Sequence, residues 1–265
     1  MQDFFTRVKH KIIRLKIGLY EKLYRKDDKE IKYIWLPEKN SDTVVVVFSA
    51  FPAKGKKAGY NMLDTFSSIK CNKLYIMDNY GDSGQGCYYL GKSKDFFVVS
   101  MVKELIEEKT RNYKRKIFVG SSKGGTAALY YGILCNADYI IAGAPQYYIG
   151  SYLNSEESNR CILRYIMGGT NKKDIKELDN YLPNIIKNNN NTEHIKILLH
   201  YSTIEHTYNE HIKFLLGDLR KYGYEVEEDV GSYKEHWEVA KYFPNLCVSQ
   251  IIKFSKENNI LSKEN

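Results

Sequence analysis

The chain has 265 residues, 43% hydrophobic and 27% charged, with a formal net charge of +8. That make-up suits a globular protein with a full core and excludes a disordered or fibrous one. The five cysteines, Cys71, Cys87, Cys135, Cys161 and Cys247, are scattered without C-x-x-C or metal-ligand spacing, so neither disulfides nor a metal site is expected, and no apolar run is long enough to predict a membrane span.

Residues 1–26 hold eight Lys/Arg against Asp3 and Glu21, so most of the excess charge sits there. Phe4, Val8, Ile12, Leu15, Leu19 and Leu23 recur at spacings of three and four, which predicts a basic amphipathic helix over residues 1–28. Such a helix suits either packing on the body with a solvated basic face, or attachment to a membrane surface or an anionic polymer. Nucleic acid is not an expected partner, because no aromatic–basic motif of an RNA-binding fold accompanies the charge. The basic residues also interrupt the apolar core that a signal peptide needs, so a cytoplasmic protein is expected.

Ile31 to Leu36 and Thr43 to Ser49 read as strands, and the Pro37–Asp42 stretch between them has hairpin-turn composition. Val44–Phe48 is apolar without alternation and should be buried on both faces. Strands at Lys73–Asp78 and Lys116–Gly120 follow, each after a helical pattern, around Tyr60–Ile69 and Asp95–Lys109. Further strands are predicted at Asp138–Ala144, Ile195–Tyr201 and Glu225–Val230, with helical stretches over Tyr147 to about Asn188 and over Tyr208–Tyr222, and a closing helix from His236. This alternation predicts an α/β fold with a mostly parallel sheet flanked by helices, in one domain over residues 29–258 with a helical lid at about 147–190 and a tail at 259–265.

The run Ile117 to Leu129 is a short strand, a Gly-rich turn and a small-residue helix, with Gly120-Ser121-Ser122-Lys123-Gly124 at its apex. It reads as a nucleophile elbow, and the Gly-x-Ser-x-Gly register selects Ser122. A serine hydroxyl needs a histidine base, and that imidazole needs a carboxylate to fix its tautomer. Of His10, His194, His200, His206, His211 and His236, only His236 follows the last strand and opens the last helix, where the base belongs. Glu205 lies in the loop after the Ile195–Tyr201 strand and is the expected acid, with Glu228 and Asp229 as alternatives; His206 beside it is either a supporting or an ordinary loop residue. Backbone donors for an oxyanion are expected at Lys123 and in the Ala50–Phe51 segment. Lys123's side chain reads as solvated, or as attracting an anionic substrate. Lys54, Lys56 and Lys57 in the early loop could meet the phosphates of a carrier such as coenzyme A. Gly86 to Ser93 matches G-x-x-x-x-G-K-S, but it follows the preceding strand at a distance, and Tyr88, Tyr89 and Leu90 would crowd amides meant for phosphate.

Phe48-Ser49-Ala50-Phe51-Pro52, Gly86-Cys87-Tyr88-Tyr89, Gly120 to Gly125, Ala144-Pro145-Gln146 and Tyr165 to Thr170 together resemble the capsular polysaccharide O-acetyltransferases of the α/β-hydrolase type, in particular those of the serogroup A kind. The elbow also resembles a broader set of capsule and accessory-secretion proteins with a Gly-Ser-Ser-Lys-Gly-Gly turn. The resemblance implies acetyl transfer from acetyl-CoA, as co-substrate, to hydroxyls of a polysaccharide acceptor, with Ser122, Glu205 and His236 at the triad positions and Gly86–Tyr89 as a fold element. In the acid loop this chain has Ser202 and then Glu205, where relatives carry Gly and then Asp. Two other readings remain open: a carbohydrate esterase using the same residues, and a non-catalytic partner in a glycan assembly or export complex docked through the basic helix.

Overall fold

The computed structural model describes residues 17–53, 55–82 and 84–261. Eight strands form one sheet: β1 (Glu21–Lys26), β2 (Lys29–Leu36), β3 (Thr43–Phe48), β4 (Asn72–Met77), β5 (Arg115–Ser121), β6 (Tyr139–Gly143), β7 (Lys196–Ser202) and β8 (Glu225–Gly231). Their order is β1-β2-β4-β3-β5-β6-β7-β8, with β1 and β2 antiparallel to their neighbours and the other six strands parallel. The helices are α1 (Phe97–Thr110), α2 (Lys123–Leu134), α3 (Ile149–Ser155), α4 (Arg160–Met167), α5 (Lys172–Asp179), α6 (Tyr181–Asn188), α7 (Lys213–Lys221) and α8 (Val239–Leu261).

All six residues of β3 and all six of β4 are buried, because helices cover both faces of a parallel sheet. The pleat divides them: Val46, Phe48, Leu74 and Ile76 join the core under α1, α2 and the β6–β7 helices, whereas Val45, Val47 and Tyr75 join the core under α8 with Phe243, Cys247 and Ile251. α2 is buried along its length as far as Ile133, and accordingly it has no polar face. The stretch from Tyr147 to Asn188 is four short helices rather than one. Among the described residues no helix is long and apolar enough to cross a membrane.

Three sequence expectations need correction. Residues 21–26 are strand, not helix: β1 turns at Asp27, which takes φ 54°, and pairs with β2 from Glu21 opposite Ile34 to Lys26 opposite Lys29. Pairing of two adjacent segments along their full length overrides a helical spacing carried there by Leu23 alone. Residues 17–20 form a helical turn, and residues 1–16 of the expected helix lie outside the described residues. Next, Pro37–Asp42 closes no hairpin, since β2 and β3 flank β4 on opposite sides; β3 is apolar on both faces and takes an interior place, while the half-exposed β2 joins the antiparallel edge. Finally, Tyr60–Ile69 is a succession of turns with Met62 at φ 60°. Phe66 and Ile69 reach the core without a regular helix, which so short a segment could not hold by propensity.

One polar contact ties these layers together. Lys123 Nζ lies 2.9 Å from Asp78 Oδ2, and neither side chain is exposed. The same oxygen accepts the Cys87 and Tyr89 amides at 2.8 and 2.9 Å, so Lys123 is not solvated and the G-x-x-x-x-G-K-S loop turns its N–H groups onto a protein carboxylate. Gly86, at φ 110°, has no room for a side chain: a Cβ there would sit 2.7 Å from Asp78 Oδ2 and against Lys123 Nζ. Removing one partner of a buried pair leaves an uncompensated charge, at a cost of about 3–5 kcal/mol. Lys123→Met should lower the stability read from urea unfolding by that amount, and adding Asp78→Asn should recover part of the loss.

Candidate active site

At the elbow, β5 passes into α2 through Ser122, whose backbone sits at φ 52°, ψ −126°. A non-glycine residue holds such a conformation only where its surroundings impose it. They do so here from two sides. The Ser122 N–H donates to Gly143 O of β6 at 2.7 Å, and α2 starts so close to the end of β3 that a Cβ on Gly124 would meet Phe48 O at 2.6 Å. The serine side chain is thereby presented beyond the carboxyl edge of the sheet.

His236 opens the turn that leads into α8, and its Nε2 stands 2.9 Å from Ser122 Oγ. Its Nδ1 lies 3.2 Å from Glu205 Oε1, a contact short of a well-aligned hydrogen bond; such contacts commonly tighten when substrate binds. Glu205 follows β7 and is buried, and it accepts from the Thr207 hydroxyl and, at 3.3 Å, from the Thr207 amide. Burial acts to raise the Glu205 carboxyl, but the contacts with His236 and Thr207 outweigh it and hold its pKa below the usual glutamate value. The structure thus brings Ser122, His236 and Glu205 together. The two other carboxylates considered are engaged elsewhere: Glu228 takes the Tyr201 hydroxyl and Arg220, and Asp229 lies 2.5 Å from His200 Nδ1. His206 stacks over His236, with ring centroids 6.3 Å apart, and its Nδ1 is 3.6 Å from Glu205 Oε1. His211 is buried behind the acid loop and accepts the Tyr148 amide; desolvation pushes its pKa down to about 4, so it stays neutral.

The two oxyanion segments fare differently. The Ala50 amide donates to Asn61 Oδ1 at 2.9 Å and is committed there. Phe51 lines the cleft, and Lys123, as the first residue of α2, has an N–H with no acceptor inside the helix. The cleft measures about 820 Å³ and runs between Ala50–Ala53 and Asn61 on one side and Tyr152, Ile204, His206 and Lys234–Trp237 on the other. Lys56 and Lys57 are exposed and do not line it, and Lys54 lies outside the described residues. Among the described residues, the lysine on its wall is Lys234. Among the described residues no group of three or more His, Cys, Asp or Glu could hold a metal ion.

Sequence reasoning gave no role to Gln146, Asn61 or Thr207. Gln146 is wholly buried, with Nε2 3.2 Å from Ser122 Oγ. Its sequence signals are its place in the Ala144-Pro145-Gln146 segment of the resemblance, which assigned it no role, and its position just past the carboxyl end of the strand beside the elbow strand, where sites in parallel sheets gather. Asn61 and Thr207 act through single contacts that no spacing announces.

No protein-family model and no curated protein matches this chain. Solved structures do. The capsule O-acetyltransferase of Neisseria meningitidis serogroup A, a mutant of which was solved in complex with CoA, aligns over 87% of this chain and 94% of its own with TM-score 0.73 and 20% identity. A chain of the Glycosylation Associate Protein (Gap123) complex from Streptococcus agalactiae aligns over 86% of this chain and 46% of its own, with TM-score 0.72 and 20% identity. The S-formylglutathione hydrolase of Agrobacterium tumefaciens covers 89% and 94% at TM-score 0.59 and 11% identity. At these identities the likeness establishes the fold: this is an α/β-hydrolase fold, and its elbow carries a Ser–His–Glu constellation.

If the constellation works as a unit, Ser122→Ala and His236→Ala should each abolish turnover of an activated ester such as p-nitrophenyl acetate, and Glu205→Gln should lower kcat about 10⁴-fold with the fold intact. Because the Glu205 pKa is depressed in the fold, its stabilising contribution is whole above the ordinary glutamate range and is lost as pH falls through the depressed value. Thermal midpoints of the wild type and Glu205→Gln should therefore converge on acidification, and a difference that persists at the lowest pH would refute the assignment.

Proposed function

We propose that this chain is a serine O-acetyltransferase that moves acetyl from acetyl-CoA to a hydroxyl of a bacterial surface polysaccharide. The observation that carries the reading is the 2.9 Å contact of Ser122 Oγ with His236 Nε2, backed by Glu205 and opening on a cleft of about 820 Å³. The likeness to a capsule O-acetyltransferase over nearly the full length of both chains supports the donor and acceptor classes.

In this reading, His236 Nε2 takes the Ser122 proton as Oγ bonds to the thioester carbonyl carbon. The oxyanion that forms faces the amides of Phe51 and Lys123. Collapse breaks the C–S bond, the CoA thiolate takes the proton from His236, and acetyl remains on Ser122. A sugar hydroxyl then gives its proton to His236, bonds to the acetyl carbon, and leaves as the ester while Ser122 recovers its hydrogen. Glu205 holds the imidazole in the Nδ1–H tautomer throughout. Acetyl-CoA is a consumed co-substrate, which entails a cytoplasmic site of action. His236 is partly exposed and the cleft is open on one side, so water can act as acceptor when no sugar is present, and slow hydrolysis of the acetyl-enzyme is part of the proposal.

Incubation of the full chain with radiolabelled acetyl-CoA, without acceptor, should leave acetyl on Ser122, found by mass spectrometry of the peptide ending at Lys123. Absence of both label and thioester cleavage in folded protein, with p-nitrophenyl acetate still turned over, would favour an esterase; absence of all three would favour a non-catalytic partner.

A further inference from the structure

Gln146 occupies a place that the triad does not explain. An uncharged amide, fully enclosed, stands against the nucleophile: Nε2 lies 3.2 Å from Ser122 Oγ, 3.4 Å from His236 Nε2 and 3.4 Å from Ala144 O. It is held by three hydrogen bonds with two residues. The Tyr88 hydroxyl donates to Gln146 Oε1 at 3.1 Å, the Gln146 main-chain N–H donates to Thr126 Oγ1 at 2.9 Å, and the Thr126 hydroxyl donates back to Gln146 O at 3.0 Å. The Ala144 carbonyl, which can only accept, fixes which end of the amide faces the serine. With the ends exchanged, Oε1 would confront the Ala144 carbonyl and compete with Ser122 Oγ for the lone-pair side, so the NH₂ group faces the nucleophile.

Tyr88 is itself held in place. It and Tyr89 sit in the left-handed region at φ 54° and 57°. Asp78 accepts from the amides on either side of Tyr88, and the Tyr130 and Tyr131 hydroxyls donate to the Tyr88 and Tyr89 carbonyls. The loop with the nucleotide-binding look thus serves to present one phenol to one amide.

We propose that Gln146 is a fixed hydrogen-bond donor to the reacting oxygen of Ser122, and that Tyr88 is its positioning residue. Before attack, Gln146 Nε2–H occupies one lone pair of Oγ, which leaves the hydroxyl hydrogen directed at His236 Nε2. As that proton moves to His236, the same N–H faces an oxygen gaining negative charge, and a hydrogen bond to an ionised acceptor is about twice as strong as one between neutral groups. When the acetyl group later departs to its acceptor, Oγ is the leaving oxygen and again meets this donor. The contact differs from the oxyanion site, which serves the carbonyl oxygen.

The inference rests on Ser122 being the nucleophile, and one experiment separates the two claims. Ser122 phosphonylation by a fluorophosphonate probe and turnover of p-nitrophenyl acetate are measured for the full-length wild type, Gln146→Met, Gln146→Glu and Tyr88→Phe, with circular dichroism melts as the check on folding. Gln146→Glu retains the acceptor for Tyr88 but puts an oxygen in place of the donor. Both Gln146 variants should lose about tenfold to a hundredfold in kcat and in labelling rate with KM little changed, and Tyr88→Phe should lose about threefold to tenfold. Rates within twofold of wild type in folded variants, or losses confined to KM, overturn the proposal. If the Gln146 variants fail to fold, Tyr88→Phe decides: a slowed kcat at constant KM supports it and an unchanged one overturns it. A wild type that is not labelled at all overturns the nucleophile reading and this inference with it.

Discussion

Lys123 and Asp78 form an ion pair with no access to solvent, and the end of the molecule that carries Ser122, Gln146 and His236 is assembled around it. An unpaired charge in such a place would cost several kcal/mol, so any arrangement that separated the two would be strongly disfavoured. Lys123 is the residue after the proposed nucleophile, and Asp78 directly follows β4, so the pair locks the elbow to the end of β4 across the intervening β3. Because Asp78 also takes the Cys87 and Tyr89 amides, the same anchor sets the loop whose Tyr88 hydroxyl reaches Gln146. Lys123 Nζ lies 5.0 Å from the centre of the Tyr89 ring and 5.4 Å from that of Phe51, which adds an aromatic face to its ionic partner.

The parallel sheet does the rest. Ser122, Gln146, Glu205 and His236 follow β5, β6, β7 and β8, four strands that are adjacent in the sheet in that order. Parallel strands end on one edge, and neighbours lie about 4.8 Å apart, so short loops suffice to bring four residues spread over 115 positions into one cluster. The strained Ser122 backbone projects its side chain to meet Gln146 and His236, and Glu205 meets His236 from behind. The hydrogen bonds from Ser122 N to Gly143 O and from Ala144 N to His200 O stitch successive strand ends together just where the loops depart.

Much of this was legible before the fold. The unbroken Val44–Phe48 run announced a strand covered on both faces, the elbow announced itself by strand, glycines and helix, and chain order selected Glu205 and His236. Each of these signals is local or follows a sequence order that parallel topology preserves. The failures share a cause. Lys123 reads as a surface lysine because its partner stands 45 residues away, and Ala50 reads as an oxyanion donor because nothing near it reveals that the Asn61 side chain has taken its amide.

The sequence by itself determined the alternation of strands and helices, the elbow at Ser122 and the order in which Glu205 and His236 follow it, since hydrophobic periodicity and the conformational demands of glycine act within a few residues. The tertiary structure alone decided which charges were buried, which strands became neighbours, which carboxylate faced His236, and that Gln146 touched Ser122. Those outcomes depend on through-space distances of about 3 Å between groups tens of residues apart, and hydrogen bonding and desolvation act at that range whatever the separation along the chain.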